Sequence, residues 1–205
     1  LDVDPGWGEA VVTRLTRFKL RTECELTLRT WPGIAWRGPG AAAIAADAPI
    51  VAPAGWIGIE GTDVIGPDVI GDASIDAYQY ETLRIAARWP AMGAELDSST
   101  IPAASGIVEQ SVSFTKGCYT GQELVARIDS RGSNTPTRLV RVVADAPVRL
   151  AVGDGLTVAG EPAGVITSAS VTEPIALAYV KRAIEVPGRA DVNAGEERAS
   201  VDLVP

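Results

Sequence analysis

The sequence predicts an α+β protein in two parts: a mixed helix-and-strand region over residues 1–135 and a small β-barrel over residues 136–205. Three observations lead there. Val11, Val12, Leu15 and Phe18 recur at helical spacing, which makes residues 9–20 an amphipathic helix of about three turns. Gly132-Ser-Asn-Thr-Pro136 is a polar, glycine- and proline-bounded break of the kind that separates domains. Beyond it come short runs of strand formers at 139–143, 148–150, 156–158, 164–167, 175–180 and 200–204. Turns at 153–155, 160–162 and 187–188 separate them, and strands this short and evenly punctuated suit a closed or nearly closed barrel.

Between the first helix and the break the signals are shorter. Residues 21–30 alternate with Cys24, Leu26 and Leu28 on one face, which predicts a strand with Cys24 buried in a sheet. Trp31-Pro32-Gly33 ends it, and residues 34–36 form a short partner strand. Residues 38–55, rich in Gly, Ala and Pro, are a loop or weak helix, and residues 56–60 are a further strand. Ser74 can cap a helix running to Arg88, with Asp76 in its first turn and Arg84 and Arg88 towards its end. Trp89-Pro90 stops that helix.

Composition removes several function classes. A net charge of −8 argues against bulk nucleic-acid binding, which needs clustered Lys and Arg to neutralise phosphates. It leaves room for a local basic pocket. The chain has no histidine, so a His-based triad, a His–Cys dyad and a His-ligated metal are all impossible within it. Two cysteines, Cys24 and Cys118, cannot close a four-ligand zinc or iron–sulfur site in one chain, so no metal site is expected. No apolar run approaches the ~20 residues of a membrane span. Two reduced thiols in a cytoplasmic protein is the expectation. P-loop, dinucleotide-binding glycine fingerprint, His-Glu-x-x-His and nucleophile-elbow motifs are all absent.

Chemistry concentrates in residues 114–132. Thr120 and Glu123 have the spacing of a capping box, with Leu124 and Ile128 on one face of the helix that follows and Gly132 at its end. Cys118 then stands two residues before the cap, near unpaired amides and the positive end of the helix dipole, with Lys116 two residues upstream. Both influences favour a thiolate if the site is exposed. A buried cysteine acting as small apolar filler is the alternative, and spacing alone leaves both open.

Lys116-Gly-Cys-Tyr-Thr-Gly-Gln-Glu123, followed by Arg127, resembles the signature of the YgfZ family of folate-binding proteins linked to iron–sulfur cluster assembly and repair. That family is similar in fold to the glycine-cleavage aminomethyltransferase, or T-protein, whose corresponding stretch lacks the cysteine. The resemblance implies a T-protein-like folate-binding region followed by a small barrel, with tetrahydrofolate as cofactor and iron–sulfur cluster proteins as partners. It implies Cys118 and Lys116 as the reactive residues. Arg84, Glu95, Tyr119, Gln122, Glu123 and Arg127 are the implied folate contacts, with Arg127 or Arg84 pairing a glutamate carboxylate.

Residues 84–97, 101–102 and 176–182 resemble further blocks of the superfamily, with two departures: Ala86 and Ala104 stand where relatives have glutamate. The first residue is Leu, and family members extend further, so region 1–135 is expected to lack its N-terminal portion. The leading functional expectation is a folate-binding accessory protein for iron–sulfur enzymes. A tetrahydrofolate-dependent one-carbon transferase and a non-catalytic interaction module are the alternatives.

Overall fold

The computed structural model describes residues 1–119, 121–130, 132, 134–145, 148–195 and 197–205. The chain divides into two compact units. The first contains Leu1–Ala54 and Glu60–Asp72, together with Cys118 and Tyr119; the second contains Gly55–Ile59, Ala73–Gly117 and Gly121–Pro205. The break at 132–136 therefore marks the start of the barrel, while residues 73–117 belong to the same compact unit as the barrel.

The first unit opens with helix α1 (Gly8–Phe18), as the periodicity predicts; its apolar side chains are only partly covered, and none is fully buried. Residues 21–30 form no strand, and Cys24 is exposed, which corrects the expectation of a buried sheet cysteine. Alternation supplies a face but not a neighbour, and an extended segment is stable as a strand only where another backbone takes its hydrogen bonds. A small antiparallel sheet follows, from β1 (Gly33–Arg37), β2 (Ile50–Pro53) and β3 (Gly61–Ile65) in the order β1-β3-β2. Its central strand buries Thr62 and Val64, and the Thr62 hydroxyl donates to the Ala41 carbonyl at 2.7 Å.

Residues 56–60 form a turn rather than the expected strand, and of these 56–59 belong to the second unit. Trp56 is buried there against Tyr80 and Trp89, with ring centroids 5.3 and 6.5 Å away. Helix α2 (Ala77–Ala86) is capped by Asp76, not by Ser74. Asp76 accepts from the Gln79 amide at 2.8 Å and the Gln79 side chain accepts from the Asp76 amide at 3.0 Å, a complete capping box. Two short helical turns, α3 (Pro102–Ser105) and α4 (Val108–Ser111), lead to helix α5 (Gln122–Asp129).

The barrel is closed, as the sequence predicts. Its strands β4 (Thr137–Ala144), β5 (Gly155–Val158), β6 (Glu161–Ala169), β7 (Ile175–Lys181), β8 (Gly188–Ala194) and β9 (Glu197–Val204) run in the order β4-β7-β6-β5-β8-β9. Every pairing is antiparallel. Val140, Val142, Leu156, Ile166, Val180, Val192, Val201 and Leu203 point into its core. Residues 148–150 help fill that core without being a strand. Strand β8 is absent from the sequence reading. Its inward residues, Ala190 and Val192, are too small and too few to stand out among Arg189, Asp191 and Asn193. No helix among the described residues is long and apolar enough to cross a membrane.

Candidate functional site

Two of the residues assigned to ligand contact, Arg84 and Glu95, meet each other. Arg84 lies in the last turn of α2, and its guanidinium uses all five N–H groups inside the chain. Nε and Nη2 donate to the two carboxylate oxygens of Glu81 at 2.8 and 2.5 Å. Nη1 donates to the Trp89 carbonyl at 2.6 Å and to Glu95 Oε2 at 3.0 Å, and Nη2 also reaches Ser168 Oγ at 2.7 Å. Glu95 has a side chain with no exposure at all. Its Oε2 also accepts from the Ala91 amide at 3.0 Å, and its Oε1 from the Ser168 hydroxyl at 2.6 Å.

Burial alone would lower the Arg84 pKa, but the Glu81 hydrogen bond and the Glu95 and Glu81 charges outweigh it and raise it. Tyr179 completes the cluster by donating to the Glu95 carbonyl at 3.0 Å. Burial, reinforced by the Glu95 and Asp97 charges, pushes the Tyr179 phenol up to about 12. Arg84 and Glu95 thus tie α2 to the barrel wall through Ser168 on β6. Every N–H of Arg84 is bonded inside the chain, and Glu95 is buried in the same cluster.

The other assigned residues lie where the sequence places them, between β4 and the α4 turn. Lys116 and Cys118 are exposed, and Tyr119 is half-buried. Thr120 lies outside the described residues, so the Thr120–Glu123 capping box does too. Helix α5 begins at Gln122 with Gly121 as its N-cap at φ +87°, a left-handed conformation that glycine adopts without strain. Glu123 and Arg127 are four apart on α5, share a face, and are both exposed. Val125 is the buried residue of this helix, whereas Leu124 is 44% exposed, so the apolar face is turned from the expected Leu124–Ile128 line. The signature straddles the two units: Cys118 and Tyr119 group with the first, Lys116 and α5 with the second.

A cleft of about 180 Å³ lies in the second unit between Leu96, Thr100, Ile107, Val108 and Val112. On its rim hydrogen bonds from Ser99, then from Thr100, hold the Asp97 carboxyl below the usual range. It is smaller than the ~300 Å³ at which ligand pockets begin. Among the described residues no group of three or more His, Cys, Asp or Glu side chains is placed to hold a metal ion.

The fold is that of glycine cleavage system aminomethyltransferase T. The crystal structure of glycine cleavage system aminomethyltransferase T from Bartonella henselae superposes on 98% of this chain and 66% of its own length, with a TM-score of 0.77 and 17% identity. Within that fold class the sequence resemblance is to YgfZ. Over 60 residues, 29% of the chain, it is 45% identical to the tRNA-modifying protein YgfZ of Serratia proteamaculans. It is 47% identical over the same length to the protein of that name from Yersinia pestis. The matched stretch spans 18% of the length of each of these relatives. No family model matches the chain.

Proposed function

We propose that this protein binds a reduced folate, tetrahydrofolate, and supports iron–sulfur cluster enzymes in the cytoplasm through the thiol of Cys118. The observation that best supports the reading is the exposure of Cys118 within the 116–127 signature, since an apolar filler would be buried. With Arg84 and Glu95 paired to each other, the folate contacts within the signature are Tyr119, Gln122, Glu123 and Arg127. Arg127 is exposed and suited to grip a carboxylate in bidentate fashion. Lys116 supplies positive charge two residues from the thiol. An exposed thiol can exchange with another thiol or give one ligand to a cluster completed by a partner protein. One ligand is all this segment offers.

The relatives' name, tRNA-modifying protein, fits the same reading in an indirect form. A chain of net charge −8 is poorly suited to hold RNA phosphates in bulk, so a part in tRNA modification would run through a partner enzyme. The transferase alternative loses ground with Ala86 and Ala104, which offer no carboxylate to a pterin ring.

Calorimetric titration with tetrahydrofolate tests the ligand: saturable binding is expected, and none at millimolar ligand sinks the folate reading. Recovery of an oxidatively damaged iron–sulfur enzyme tests the thiol. Cys118→Ser is expected to bind folate normally and to lose that support; undiminished support would remove Cys118 from the mechanism.

A further inference from the structure

Arg88 and Arg141 face each other at the seam between the α2–α3 segment and the outer wall of β4. Their attachments are reciprocal. Arg141 Nη1 donates to the Ala86 carbonyl at 2.8 Å, two residues before Arg88. Arg88 Nη1 reaches the Leu139 carbonyl at 3.4 Å, two residues before Arg141. Both side chains are half-buried, and Arg141 Nε is buried without a partner. Among the described residues no carboxylate forms an ion pair with either guanidinium. Burial, and then the neighbouring Arg141 charge, lower the Arg88 pKa.

Arg88 is the left-handed residue that ends α2, where the Trp89 amide donates back to the Arg84 carbonyl at 3.0 Å and the Arg88 amide to the Ile85 carbonyl at 3.0 Å. Its φ is +52°, in the left-handed region that disfavours a side chain. The α3 end makes room: a Cβ on Gly106 would lie 2.5 Å from Arg88 Nη1. A seam that gathers two cations and, among the described residues, pairs neither with a carboxylate is complementary to an anion from outside.

We propose that Arg88 and Arg141 form an oxyanion site that takes a carboxylate of a small-molecule ligand, the glutamyl tail of the folate. The tail assignment rests on the folate reading above; the anion site does not. Each guanidinium offers five N–H groups, and the two carbonyls occupy one on each. A carboxylate between them would neutralise the like-charge pair and accept in bidentate geometry.

Arg88→Gly separates recognition from folding, since it removes the guanidinium and also relieves the strained φ. Its melting temperature is expected to hold or rise. Its affinity for tetrahydrofolate, and that of Arg141→Gln, should fall about tenfold to hundredfold, the range for losing a charge-assisted bond. Tetrahydropterin, the ring system without the tail, should bind the full chain and both variants alike. Unchanged tetrahydrofolate affinity in both variants overturns the site and leaves the folate reading standing. If the unsubstituted chain binds no tetrahydrofolate, the folate reading fails and glutarate decides the site. A glutarate-induced rise in melting temperature that Arg88→Gly abolishes upholds it, and no rise overturns it.

Discussion

Removing Arg84 leaves Glu95 buried with its charge unpaired, whereas removing Arg127 leaves nothing uncovered. Breaking a buried pair from one side costs about 3–5 kcal/mol, so Arg84→Ala should be destabilised by roughly that much in urea unfolding. Arg127→Ala should stay within about 0.5 kcal/mol of the parent, as exposed substitutions do. Tyr179 gives the same cluster a pH signature. Its folded pKa, pushed up to about 12, lies above the unfolded value near 10. Its contribution to stability is therefore whole below about pH 10 and lost as pH rises through about 12. In a spectrophotometric titration one of the four tyrosines should ionise late, and Tyr179→Phe should abolish that step. Arg84 and Glu95 are legible in the sequence as charges in a recognisable block, but their pairing is not. The hydroxyl that joins them to the barrel, Ser168, is 73 residues beyond Glu95, and no local spacing encodes that distance. Cys118 is exposed, an outcome that its spacing alone left open. Cys24 misleads because its alternating neighbours have nothing to pair with.

At the scale of elements, caps decide where helices start, and the sequence holds more cap candidates than helices. Ser74 and Asp76 are both good N-caps, but only Asp76 has a glutamine three residues on, and Gln79 completes the box. Asp76→Ala should cost about 1 kcal/mol of stability, the usual worth of an N-cap, while Ser74→Ala should cost almost nothing. Chemical denaturation of the two variants reads the difference, and equal losses would mean the box is not formed in solution. Helix α5 starts at Gln122 on a left-handed glycine, Gly121. Residues 21–30 teach the complementary lesson for strands, where period-two alternation is necessary and a partner backbone is what makes it sufficient.

For the whole molecule, apolar burial is concentrated in the barrel. Among the described residues the first unit buries two apolar side chains, Ala41 and Val64, while the barrel core gathers more than a dozen around Val142, Leu156 and Leu203. The barrel's existence was legible because six regular strand signals with glycine turns have few other ways to close, and its missing member β8 was hidden by polar outward residues. The border between the two units was not legible, since segments 55–59 and 73–117 join the barrel's unit from across the sequence. The energetic asymmetry follows from the burial. Leu203→Ala should cost about 2–5 kcal/mol, because it empties a sealed core. Val51→Ala, at a strand position 41% exposed, should cost well under about 1 kcal/mol. Native-state hydrogen exchange gives the spatial form of the same expectation. Amides of β4, β6 and β7 should exchange through global opening, while those of residues 25–30, which belong to no helix or strand, should exchange orders of magnitude faster. Protection at 25–30 equal to that of the barrel would show that this segment does find a partner strand in solution, and would restore the strand that its alternation predicts.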